Sequence, residues 1–125
     1  MPKRILVVED DEKSRRLLTD VLGFHGFDVC ACGSGEDGLA DARQCAPQAA
    51  LLDIQLPGIS GFDVLARLRS ESGTARMPVI AVTASVMDQD RKKILAAGFD
   101  AYVSKPVNIR ELLDTLNQLL AKAGS

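Results

Sequence analysis

Five short apolar runs punctuate the chain, and each is followed by a stretch with apolar residues at helical spacing. Ile5-Leu6-Val7-Val8, Ala49-Ala50-Leu51-Leu52 and Pro78-Val79-Ile80-Ala81-Val82 are continuously apolar. Runs of this length without alternation read as strands buried on both faces of a sheet. Phe27-Asp28-Val29-Cys30-Ala31-Cys32 carries one charge, which suits an edge strand, and Ala101-Tyr102-Val103 makes a fifth.

The intervening segments read as helices. Leu17, Leu18, Val21 and Leu22 form a helical stripe that Gly23 and Gly26 bring to a stop. Ser34 with Asp37 three residues on reads as a capping box, with Leu39, Ala40 and Ala42 lining the helix and Pro47 closing it. Ser60-Gly61-Phe62 opens a third helix with Phe62, Leu65 and Leu68 on one face. Ala84 to Ala97 reads as a fourth, stopped by Gly98. Asn108 and Glu111 cap a fifth, whose stripe is Ile109, Leu112, Leu113, Leu116, Leu119 and Leu120.

Strand and helix thus alternate five times. This is an α/β pattern, a parallel sheet with helices on both faces, because each parallel crossover needs a covering helix. No repeat, low-complexity tract or linker divides the chain. The expectation is one domain over residues 1–122, with 123–125 as a frayed tail.

Composition narrows the function. A chain of 125 residues suits one core, and 46% hydrophobic with 26% charged residues is ordinary for a globular protein. No apolar run approaches the roughly 20 residues that span a bilayer, and Ile5 to Val8 is too short for a signal-peptide core. The expectation is a cytoplasmic protein with no membrane partner. A net charge of −2 gives no basic field for direct nucleic-acid binding. Cys30, Cys32 and Cys45 are odd in number and lack C-x-x-C spacing, so they read as three buried, reduced thiols. His25 is the only histidine, which leaves little for histidine-based hydrolysis or a multi-histidine metal site. It reads as a surface or helix-end residue.

The chemistry lies at the strand ends. Parallel strands bring their C-terminal ends to one edge of the sheet, where open α/β folds bind ligands. Strand one runs into Glu9-Asp10-Asp11-Glu12, strand three ends in Asp53, strand four in Thr83, and strand five leads to Lys105. Carboxylates held together repel unless a cation neutralises them. Mg²⁺ fits such a set, because it takes hard oxygen ligands. A lysine and a threonine beside it can bind an anionic group. A carboxylate can act as a nucleophile toward phosphorus, giving an aspartyl phosphate. Asp11 and Glu12 read simply as acids at a helix N-terminus.

Four segments together resemble the CheY-like receiver domain of two-component response regulators. They are Ile5 to Asp11, Leu52-Asp53-Ile54-Gln55-Leu56-Pro57-Gly58-Ile59-Ser60-Gly61, Val79 to Ala84, and Ala101-Tyr102-Val103-Ser104-Lys105-Pro106. The resemblance covers essentially the whole chain, and the narrower likeness is to single-domain members. It implies a doubly wound (βα)5 flavodoxin-like sandwich with strand order 2-1-3-4-5.

It also implies roles. Asp53 would accept a phosphoryl group from a sensor histidine kinase or histidine phosphotransfer protein. Asp10, Asp53 and the main-chain carbonyl of Gln55 would ligate Mg²⁺, with Glu9 acting through water. Thr83, Lys105 and the Ala84 N–H would bind the phosphoryl group. Thr83 and Tyr102 would form the switch, and the Lys105-Pro106 bond would be cis. The output would pass to a downstream protein through the face of helix 4, strand 5 and helix 5, with Val86 and Met87 as contacts. Ser85 and Gln55 would tune the phosphoryl lifetime. The chain would be a monomer or weak homodimer, with no enzymatic activity beyond Mg-dependent self-phosphorylation and autodephosphorylation. Glu9-Asp10 stands where the family often has two aspartates, which makes Asp10 the firmer direct ligand.

Two other classes compete. A phosphohydrolase with an aspartyl nucleophile wants a second Asp two residues on, and Gln55 stands there instead. An unphosphorylated interaction module would not need Asp53, Thr83 and Lys105 together.

Overall fold

The apolar runs become five strands in the computed structural model, which describes residues 3–84 and 88–123. The order is β1 (Arg4–Val8), α1 (Glu12–Phe24), β2 (Asp28–Cys32), α2 (Gly35–Cys45), β3 (Ala49–Asp53), α3 (Gly61–Ser70), β4 (Val79–Thr83), α4 (Asp88–Ala97), β5 (Ala101–Ser104) and α5 (Ile109–Ala123). All strand pairs are parallel, and the sheet order is β2-β1-β3-β4-β5. The charged β2 is an edge strand, as its sequence suggests.

Alternation along each strand feeds two cores. Ile5 and Val7 point to one face, with Leu18 and Leu22 of α1 and Leu112, Leu116 and Leu120 of α5. Leu6 and Val8 point to the other, with Leu39 of α2, Val64, Leu65 and Leu68 of α3, and Ile94 of α4. Both faces are covered, which is why β1, β3 and β4 carry polar residues only at their ends.

Helix starts follow local hydrogen bonding. Asp11, Ser34, Ser60 and Asn108 each accept from the backbone N–H three residues on. Ser60 and Asp63 complete a reciprocal capping box. His25 is exposed at the end of α1, and the Lys105-Pro106 bond is cis.

Several expectations need correction. Leu17 lies on the outer flank of its stripe and is 56% exposed. Ala40 also faces solvent, because the inward positions of α2 are Gly35, Gly38, Leu39 and Ala42, a spacing that leaves it out. Helix α2 ends at Cys45 through a left-handed Ala46, one residue before Pro47. Ala84 lies in a bend and not in the fourth helix, whose described part is Asp88–Ala97. Ser85, Val86 and Met87 lie outside the described residues. Helix α5 runs to Ala123.

The cysteines differ most from expectation. Cys32 alone is a buried thiol, while Cys30 and Cys45 are half-buried and joined by a disulfide. Packing of α2 against β2 brings these two together, and their separation of 15 residues gives no hint of it.

Candidate phosphoryl and metal site

The C-terminal ends of β1, β3 and β4 and the segment after β5 meet at one rim. Glu9 follows β1 and is 1% exposed, Asp53 ends β3 at 3%, and Thr83 ends β4 at 1%. Lys105 reaches inward from the β5–α5 segment. Its Nζ lies 2.9 Å from Asp53 Oδ2 and 3.1 Å from Glu9 Oε1. Asp10 is exposed at the mouth. Glu9, Asp10 and Asp53 each offer a carboxylate oxygen, and these atoms lie within 4.8 Å of one another.

Backbone contacts fix these groups. The Gln55 N–H donates to Asp53 Oδ1 at 2.8 Å, and the Asp11 N–H donates to Glu9 Oε1 at 3.2 Å. The Lys105 N–H donates to the Thr83 carbonyl at 2.8 Å, which ties lysine and threonine into one unit. Arg15 donates to the Glu9 carbonyl at 2.9 Å. Ala84 follows Thr83 in an exposed bend, and Gln55 is exposed beside Asp53.

The charges are unevenly balanced. Burial, and then the neighbouring Asp53 carboxyl, push the Glu9 carboxyl above the ordinary carboxylate range, while Lys105 pulls it back. Burial opposes the charge on Lys105, but hydrogen bonds to Asp53 and Glu9 outweigh it and raise its pKa. Among the described residues, Lys105 pairs with Glu9 and Asp53, and Asp10 adds a third acid to the cluster. Glu9 Oε2 is buried and has no hydrogen-bond partner among the described residues, a costly state for a carboxylate oxygen. An oxygen set with surplus negative charge and an unsatisfied buried acceptor fits a small hard cation.

The residues expected at the site converge: Glu9, Asp10, Asp53, Thr83 and Lys105 share the rim. Tyr102 is half-buried on β5, and the Arg91 guanidinium sits over its ring at 5.8 Å from the centroid. Sequence reading did not single out Arg91, since one basic residue on a polar helix carries no signal.

It also missed why Gly61 matters. A Cβ there would lie 2.5 Å from Ile54 Cα and 2.6 Å from the Asp53 carbonyl oxygen. Both are backbone atoms next to the buried acid and cannot rotate away. Overpacking of this kind costs about 1–3 kcal/mol. A Gly61→Ala variant is expected to melt roughly 5–10 °C lower and to take up phosphoryl groups more slowly. A thermal melt with a phosphorylation time course checks both; unchanged values would show that the loop yields freely.

Comparison with known proteins agrees with this geometry. Residues 5–117 match the response regulator receiver domain family. The polar-differentiation response regulator DivK of Brucella anthropi is 36% identical over 123 residues, covering 98% of this chain and all of that protein. A CheY-like receiver domain protein from Methanospirillum hungatei superposes with a TM-score of 0.90 at 32% identity, over 99% of this chain and 98% of that one. The receiver domain of sensor histidine kinase PA1611 from Pseudomonas aeruginosa superposes at 0.89 and 28% identity, covering 97% of this chain and 99% of that one. That domain holds a magnesium ion coordinated in its active site cleft. Among the described residues of the present chain, no helix is long and apolar enough to cross a membrane.

Proposed function

The chain belongs to the response regulator receiver family of two-component phosphorelays, and from that premise we propose that Asp53 is its phosphoryl acceptor. The carrying observation is a buried carboxylate at a strand end with the Lys105 ammonium 2.9 Å away and two further acids within ligand distance.

The donor is a sensor histidine kinase or a histidine phosphotransfer protein. An Asp53 carboxylate oxygen attacks the phosphorus. The new P–O bond forms as the donor's P–N bond breaks, and the electron pair leaves on the histidine nitrogen, which takes up a proton. Gln55 N–H and Lys105 hold the carboxylate in one orientation during attack. Lys105, the Thr83 hydroxyl and the Ala84 N–H receive the phosphoryl oxygens as charge builds on them. Asp10, Asp53 and the Gln55 carbonyl would hold Mg²⁺, with the Glu9 carboxylate close enough to support it. When bound, Mg²⁺ supplies the positive charge that three acids and one lysine leave wanting.

Phosphorylation then acts as a switch. Thr83 is tied to Lys105 through the backbone, so a phosphoryl group that draws on both biases β4 and β5 together. Tyr102 on β5 follows. Its surface, with α4 and α5, is the contact for a downstream protein. The chain itself performs self-phosphorylation and autodephosphorylation only; Gln55 at the second position after Asp53 supplies no proton relay for turnover of external phosphoesters.

The test is incubation with a small phosphodonor, followed by intact mass. One phosphoryl group is expected in Mg²⁺ and none after chelation with EDTA. Equal uptake in both conditions would contradict the metal assignment; no uptake in Mg²⁺ would contradict the acceptor assignment.

A further inference from the structure

The three cysteines divide by environment. Cys32 donates to the Val7 carbonyl at 3.7 Å, and burial, then Asp41 and Asp37, push its thiol up to about 12. Such a thiol stays protonated and inert. Cys30 lies two residues back on the same face of β2 and is half-buried. Helix α2 runs back along this strand. A Cβ at Gly38, in its first half, would lie 3.7 Å from Cys32 Sγ, while its last residue, Cys45, meets Cys30.

Contacts independent of the bridge bring the pair together. Arg4 Nη1 donates to the Cys45 carbonyl at 2.6 Å, and Arg4 Nε pairs with Asp28 Oδ2 at 3.2 Å at the start of β2. The Cα atoms of Cys30 and Cys45 lie 6.8 Å apart, within the span of a disulfide. The fold therefore presents the two cysteines to each other and leaves both residues only half-buried.

We propose that Cys30 and Cys45 are a site of reversible thiol modification, open as a dithiol and closed as a disulfide by exchange with a low-molecular-weight disulfide. One cysteine thiolate attacks a sulfur of the small disulfide. A protein–small-molecule S–S bond forms, and one small thiolate leaves. The second cysteine thiolate attacks the protein sulfur of that mixed disulfide. The Cys30–Cys45 bond forms, and the second small thiolate leaves. Two electrons pass to the small disulfide, and the two cysteine protons end on the released thiols.

Closure staples the C-terminal end of α2 to the edge strand. The far end of α2 touches the phosphoacceptor loop, where the Ile59 N–H donates to Glu36 Oε1 at 3.4 Å. The modification therefore acts on the anchoring of a helix that borders the site, with no cysteine in the site itself.

The test equilibrates the full chain in glutathione buffers of stepped oxidised-to-reduced ratio, approached from both directions. Thiols are counted by alkylation in denaturant and intact mass, and each sample is melted. The expected result is three alkylations at the reduced end and one at the oxidised end, with the same midpoint from both sides. The oxidised protein is expected to melt about 10 °C higher, because the cross-link restricts the unfolded chain. Cys45→Ser and Cys30→Ser variants should form no internal bridge at any ratio and should melt like the reduced wild type. A thiol count that never changes, a bridge that includes Cys32, a lasting glutathione adduct without closure, or equal melting temperatures in both states would each overturn the proposal.

Discussion

Asp53→Asn abolishes phosphoryl uptake from a small phosphodonor in Mg²⁺, while the wild-type chain gains one group. The amide is neutral and a poor nucleophile toward phosphorus, and it removes one of the three carboxylates that gather at the rim. No other acid there can replace it. Asp10 is exposed at the mouth, and Glu9 is held with its free oxygen buried. The fold survives the change, since the asparagine side chain still has an oxygen to accept the Gln55 N–H now bound by Asp53 Oδ1. It loses the ion pair to Lys105 but also relieves repulsion with Glu9, so its melting temperature should stay near that of the wild type. Intact mass and a thermal melt on the same sample separate loss of chemistry from loss of fold.

Lys105→Ala is expected to damage both chemistry and stability. A charge-assisted hydrogen bond to the developing phosphoryl charge contributes about 1.5–3 kcal/mol, so uptake should slow by about 10- to 100-fold. Stability falls because Lys105 is the cation paired with the buried Glu9 and Asp53. Stripping one partner from a buried ion pair costs about 3–5 kcal/mol. Lys105 is about a third exposed, so solvent screens part of this, and about 2 kcal/mol is the better expectation.

The pH dependence has a definite sign. With Lys105 gone, the folded state holds a proton on the buried Glu9 carboxyl at pH values where the unfolded chain has released it. Stability then falls as pH rises above the ordinary carboxylate range and recovers on acidification. Glu9 gives the wild type a weaker trend of the same sign, since its pKa is already raised. The raised pKa of Lys105 contributes stability at neutral pH that disappears above the ordinary lysine range. Mg²⁺ should restore part of the variant's melting temperature by binding the folded state alone. Melts at stepped pH, with and without Mg²⁺, check the whole pattern; a variant that is less stable in acid than at neutral pH would refute it.

The strands and the site were legible in sequence for one reason. A sheet buried on both faces demands continuous apolar runs, so a charged or hydroxyl residue at the end of such a run stands out. Asp53, Thr83 and the acids after Val8 could be placed on one rim before any coordinates. Lys105 joined them because the last strand ends just before it. The strand order came from family resemblance, since periodicity does not order parallel strands.

Other features depend on how elements meet. Which residues flank a helical stripe is set by how the helix lies on the sheet, so Leu17 and Ala40 were misplaced. The disulfide forms because the end of α2 returns to the middle of β2, a relation that no spacing rule expresses. Gly61 looked like a helix-start residue, yet the contact that requires it is with the backbone of the phosphoacceptor strand. Arg91 over Tyr102 is a meeting of α4 with β5 and has no local signature.

The measurement that bears most directly on the account is the position of the phosphoryl group. After brief phosphorylation in Mg²⁺, borohydride reduces an aspartyl phosphate to homoserine, and peptide mass spectrometry locates the altered residue. Homoserine is expected at position 53 and nowhere else. Homoserine at Asp10, a phosphoryl group on a hydroxyl residue, or an unmodified Asp53 in a chain that has gained phosphoryl mass would contradict it.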